Sequence, residues 1–137
     1  MSKLLIIDDD RDYAESLKSV LEARSYHVMW APDSVAGMKM ISSDLPDLII
    51  LDIMMSTMGE GLHLAYRLKS DPKYAHIPIL MLTGIAQRTG LKFDPQDDAE
   101  FLPVDEYMEK SNKLDVLCDH IARILKQRRR TDREGTN

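Results

Sequence analysis

The sequence predicts an α/β domain in which a parallel sheet is wound on both faces by helices. Three observations point there. Short apolar runs alternate with segments of helical period, two of the runs are apolar almost throughout, and acidic residues stand directly after the first and third runs. Near-continuous runs such as "DLIILD" and "IPILMLT" belong to strands covered on both faces, so these two are expected in the middle of the sheet.

Taken in order, the first strand is Lys3 to Ile7, and it runs into three consecutive carboxylates, Asp8, Asp9 and Asp10. Crowded like charges repel and call for a counter-charge. Asp10 precedes "RDYAESL", where its side chain can cap the first helix, whose apolar face carries Tyr13, Leu17, Val20 and Leu21. A second strand, His27 to Ala31, leads to a helix with Val35, Met38 and Ile41 on its apolar face. The third strand, Leu48 to Asp52, leads to one with Leu62, Ala65 and Leu68. The fourth strand is Ile79 to Thr83. After it, Gly84, Gly90, Pro95, Pro103 and a "DPQDD" cluster predict a short or broken helix with a long loop before a fifth strand at about Glu106 to Glu109. The last helix is the clearest, with Leu114, Leu117, Ile121, Ile124 and Leu125 in phase.

A chain of 137 residues with 44% hydrophobic content suits one domain with a real core. Its net charge of −5 argues against nucleic acid as a direct partner. The absence of a long apolar run or a secretory leader argues against a membrane span and for a cytoplasmic protein. Cys118 sits among Leu114, Leu117 and Ile121 and reads as a packing residue. His27, His63, His76 and His120 share no metal-ligand spacing. The methionines Met54, Met55 and Met58 read as core filler. Lys126, Arg128, Arg129, Arg130 and Arg133 read as cations favourably placed at the negative pole of the last helix.

In open parallel sheets the functional crevice lies at the carboxyl ends of the strands. That rule gathers Asp8 and Asp9, Asp52, Thr83 and Lys110 from four segments of the chain. Singly each has an ordinary explanation as a cap, a strand residue or a solvated cation; together they do not. Grouped carboxylates with open positions suit Mg²⁺, which keeps several waters and binds through one or two carboxylates plus phosphate oxygens. A hydroxyl and an ammonium opposite would cradle a phosphoryl group, and Asp52 is the plausible nucleophile.

The ordered set "LLIIDDD", "DLIILDIMM", "IPILMLTG" and "YMEK" resembles the response regulator receiver domain, the CheY-like phosphoacceptor of two-component signalling, over residues 3–127. The resemblance implies a doubly wound (βα)5 flavodoxin-like three-layer sandwich with a five-stranded parallel sheet in order 2-1-3-4-5. It implies that Asp52 accepts a phosphoryl group from a sensor histidine kinase or phosphotransfer protein. Asp9 would bind Mg²⁺ directly, Asp8 largely through water, and the backbone carbonyl of Met54 would complete the ligands. Thr83 would hydrogen-bond the phosphoryl group, Lys110 would pair with it, and Tyr107 would be the switch aromatic. Residues 1–127 are then the receiver domain and residues 128–137 a basic, polar tail expected to be disordered. No output segment is visible, so the expectation is a stand-alone receiver, monomeric or a weak homodimer, acting on a downstream protein the sequence does not name.

The departures matter as much. The family's usual proline and glycine after the phosphoacceptor fall at Ser56 and Glu60, with "STMGEG" reading as a longer loop to which Gly59 and Gly61 lend flexible backbone. The proline that usually follows the lysine in a cis peptide is replaced by Ser111. A cis bond there would cost about 2.5–4 kcal/mol, so Lys110–Ser111 is either trans or strained. The stretch from Thr83 to Lys110 is longer than usual, which removes the basis for assuming the usual dimer. Met54 and Ile85, at the positions that tune phosphoryl loss, cannot orient an attacking water, so slow self-dephosphorylation is expected. Two rivals are weighed. An aspartyl-phosphate phosphatase needs an aspartate where Met54 stands. A degenerate receiver, binding partners without phosphorylation, is favoured by Ser111 and the altered loop but opposed by the intact Asp8, Asp9, Asp52, Thr83 and Lys110.

Overall fold

The computed structural model describes residues 1–53, 58–84 and 104–135. Five strands, β1 (Lys3–Ile7), β2 (His27–Ala31), β3 (Leu48–Asp52), β4 (Ile79–Thr83) and β5 (Glu106–Glu109), form one parallel sheet in the order β2-β1-β3-β4-β5. All five strands and their order agree with expectation. Every residue of β3 and β4 is buried, and β1 is buried from Leu4 on, so three interior strands carry continuous apolar runs.

Four helices are described: α1 (Arg11–Ala23), α2 (Ser34–Ser43), α3 (Met58–Ser70) and α4 (Leu114–Gly135). Alternation along the strands divides the core. Leu4, Ile6, Ile50, Leu80 and Leu82 face α1 and α4, meeting Leu17, Leu21, Leu117 and Ile121. Leu5, Ile7, Ile49, Leu51 and Ile79 face the other way, meeting Ile41, Leu64 and Leu68. Burying each such side chain contributes about 1.5–3 kcal/mol, so the two apolar layers outweigh any single polar contact. Cys118 lies within the first layer, as expected.

The helix ends follow local chemistry. Asp10 caps α1, its side chain accepting the Tyr13 N–H at 3.1 Å, and Asp33 caps α2 through the Ala36 N–H at 2.8 Å. At the end of α1 the N–H groups of Ser25 and Tyr26 return to the carbonyls of Glu22 and Leu21. Ser25 holds the left-handed backbone this closure needs, at φ 70°.

Four expectations need comment. Val35 is exposed; Gly37 and Ile41 supply the buried face of α2. The last helix continues to Gly135 where a disordered tail from residue 128 was expected. Arg128 explains part of this: its side chain donates to the backbone carbonyl of Asp47, tying the helix to the start of β3, and Gln, Lys and Arg are good helix formers. No cis peptide occurs among the described residues, so Lys110–Ser111 is trans. The broken helix expected after Gly84 falls within residues 85–103, outside the described residues.

Candidate functional site

Strand register builds the site. Ile7 pairs with Leu51, so Asp8 and Asp52 leave neighbouring strands side by side, and Asp52 in turn pairs with Leu82, one residue before Thr83. Thr83 pairs with Glu109, and the Lys110 N–H donates to the Thr83 carbonyl at 3.0 Å, which brings the lysine to the same edge. Asp8, Asp52 and Thr83 are the deepest polar groups here, at 1%, 2% and 3% exposure. Burial at that level demands partners.

One ammonium serves two carboxylates. Lys110 Nζ donates to Asp52 Oδ2 at 3.2 Å and lies 2.8 Å from Asp8 Oδ2, an ion pair without hydrogen-bond alignment. Asp8 Oδ1 accepts the Asp10 N–H at 2.9 Å. One carboxylate oxygen from each of Asp8, Asp9 and Asp52 lies within 4.8 Å of the others. Asp9 is exposed, so the cluster opens to solvent on its side. Three hard oxygen donors against one cation, with a buried oxygen of Asp8 that no hydrogen bond claims, fit a small divalent ion. In the opening acidic run, Asp8 and Asp9 lie beside Asp52, while Asp10 caps α1.

Four further residues support the site in roles that sequence reasoning did not assign. The Trp30 indole N–H donates to the Asp8 carbonyl at 2.7 Å, fixing the turn after β1. The Tyr13 ring lies under Lys110, 4.7 Å from Nζ to the ring centroid, and its buried hydroxyl has no hydrogen-bond partner among the described residues. Burial, reinforced by Asp8, Asp52 and Asp10, pushes the Tyr13 phenol well above its usual range, so it stays neutral. Glu60, in the first turn of α3, accepts from the Ser34 N–H at 3.1 Å and hydroxyl at 2.8 Å, joining the starts of α2 and α3. Gly61 permits close approach. A Cβ there would lie 2.6 Å from the Asp52 carbonyl oxygen and 3.0 Å from Ile53 Cα, so its role is contact with β3 as part of α3, where flexibility had been expected. Glu60 and Gly61 left signals in the sequence, the first as a charged residue where the family has glycine and the second as a glycine in the altered loop; Trp30 left none.

Tyr107 is half-buried on β5, paired with Met81 and packed on the Ile53–Met81 cluster. Met54, with its carbonyl, lies outside the described residues, as do Ser56 and Ile85. No helix among the described residues is long and apolar enough to cross a membrane.

Known proteins share this frame. The family model described as response regulator receiver domain matches residues 4–122. The DNA-binding dual master transcriptional regulator RpaA of Synechocystis is 34% identical over 133 residues, covering 97% of this chain and 52% of that protein. Response regulator PleD of Caulobacter vibrioides is 34% identical over 113 residues, 78% of this chain and 24% of that protein. The chain thus spans about half the length of the first and about a quarter of the second. Among solved structures, the signal receiver domain of a signal transduction histidine kinase from Syntrophus aciditrophicus superposes with TM-score 0.78 at 30% identity, covering 93% of this chain and 92% of that one. A CheY-like receiver domain protein from Methanospirillum hungatei, at TM-score 0.82 and 23% identity, covers 96% and 98% and shares the fold.

Proposed function

This chain belongs to the response regulator receiver domain family, and we propose that it works as a phosphoacceptor, taking a phosphoryl group onto Asp52 from a histidine kinase or phosphotransfer protein. The observation that carries this reading is the convergence of Asp8, Asp9, Asp52, Thr83 and Lys110, drawn from four segments, on one edge of the sheet.

In the transfer, a carboxylate oxygen of Asp52 forms a bond to phosphorus as the P–N bond of the donor phosphohistidine breaks, and the imidazole leaves with that electron pair. Lys110 stands beside Asp52 to meet the phosphoryl charge. The Thr83 hydroxyl, at the end of the adjacent strand, donates to a phosphoryl oxygen. Asp8, Asp9 and Asp52 would hold Mg²⁺, with the Met54 carbonyl as a further ligand, and the ion would supply positive charge against the crowded carboxylates and the incoming phosphate. Tyr107 couples Thr83 to the face that a downstream protein reads. The reactions catalysed are the chain's own phosphorylation and dephosphorylation, with slow loss of the phosphoryl group because Met54 and Ile85 cannot direct a water. A cytoplasmic setting, a protein target and a monomer or weak homodimer complete the proposal; direct nucleic-acid contact does not suit the charge of −5.

Incubation with acetyl phosphate and Mg²⁺, followed by intact mass measurement, tests it. The native chain gains one phosphoryl group and Asp52→Asn gains none. Absence of an adduct on the native chain would overturn the proposal in favour of a phosphorylation-independent binding module, the reading that Ser111 and the altered loop after Asp52 favour. Lys110 reaches Asp52 with a trans bond to Ser111, which supports the phosphoacceptor.

A further inference from the structure

Among the described residues, Lys110 Nζ lies close to the carboxylates of Asp8 and Asp52 and the face of the Tyr13 ring. On the proposed reading two of the three would change, since Asp52 would become an acyl phosphate and Asp8 would share its charge with a bound divalent ion. The ring does not change. We infer that Tyr13 is the positioning residue for Lys110, holding the ammonium by its ring face while the carboxylates exchange partners. The inference rests on Asp52 being the phosphoacceptor.

The placement of Tyr13 is itself built. Asp10 accepts the Tyr13 N–H as the cap of α1, so the third aspartate of the acidic run sets the residue on which the lysine rests. The Lys110 backbone is held from the other side by its bond to the Thr83 carbonyl. Lys110 is followed by a trans peptide to Ser111, so no proline fixes the chain after it; a rigid aromatic face supplies orientation from a distant element. A cation over an aromatic ring is attracted most strongly where water is excluded, and the Lys110 side chain is 13% exposed. The hydroxyl of Tyr13 makes no hydrogen bond among the described residues, so the ring, and not the oxygen, does the positioning.

The test is the rate at which acetyl phosphate and Mg²⁺ load the chain, followed by intact mass, with folding of each variant checked by thermal unfolding. Tyr13→Leu is expected to slow loading about fivefold to tenfold, and Tyr13→Phe to restore it to within about twofold. In a Lys110→Ala background, Tyr13→Leu should slow the residual rate no further, because the group it positions is gone. Tyr13→Met, a second non-aromatic apolar replacement, is read in the same way if Tyr13→Leu unfolds. Loading of Tyr13→Leu at the native rate, equal slowing by phenylalanine and leucine, or an undiminished effect of leucine without Lys110 would each overturn the inference alone. No adduct on the native chain, or one that survives Asp52→Asn, would instead overturn the phosphoacceptor reading on which it rests.

Discussion

At the amino end of the sheet each charge has its own assignment. Asp47 accepts the Lys3 N–H at 2.7 Å and faces Arg128 at 3.7 Å; Asp105 accepts the Ile79 N–H at 2.7 Å and pairs with Lys69 at 2.9 Å. Both aspartates precede a strand, satisfy the exposed N–H of a neighbouring strand's first residue and meet one cation. At the carboxyl end, three carboxylates cluster and two of them, Asp8 and Asp52, share Lys110; these two are buried where the amino-end pairs are partly exposed. Among the described residues, each amino-end aspartate meets its own cation, while Asp8 and Asp52 share a single lysine. The contrast separates charge used to hold an edge together from charge held ready for a ligand, because proteins break local rules mainly at functional sites.

The contrast can be broken at either end. The largest effect is expected from Gly61→Ala, whose methyl would meet the backbone of Asp52 and Ile53. It should destabilise the chain by about 3 kcal/mol, read as a lower urea midpoint at unchanged slope, and slow loading by acetyl phosphate; a native midpoint would show that α3 can shift away without cost.

Next comes metal linkage. Mg²⁺ at about one hundred times its dissociation constant should stabilise the chain by about 2.7 kcal/mol, seen as a raised melting temperature that a chelator reverses. Asp9→Asn should remove most of this shift and Asp10→Asn almost none. Equal losses would mean that the acidic run does not divide into site and cap.

The smallest effect belongs to the amino end. Asp47→Ala leaves the Lys3 N–H without its acceptor and should cost about 1–2 kcal/mol, while loading by acetyl phosphate stays at the native rate. A change in loading would show that the two ends are coupled.

The strands were legible to the residue because parallel interior strands must be apolar throughout, and "LLII", "LIIL" and "ILML" have no other good reading. The Asp10 cap was legible because its donors lie on the next turn. The end of the last helix was not: beyond Leu125 the chain loses its apolar rhythm, and the anchor at Asp47 is a contact between distant segments that periodicity cannot register. Val35 was misplaced because Gly37 lets α2 lie close on Ile7, leaving Val35 on the outer side. Strand ends were enough to name Asp8, Asp9, Asp52, Thr83 and Lys110. Tyr13 and Trp30 looked like ordinary apolar residues of a helix and a strand, since their roles depend on what the folded sheet brings beneath them.

The bond from the Trp30 indole to the Asp8 carbonyl has an optical consequence. It is the only tryptophan in the chain, and its excited-state dipole is fastened to the backbone of a residue in the acidic cluster. The emission of this one fluorophore is therefore expected to follow changes in the turn after β1, a label-free report on the carboxylate cluster.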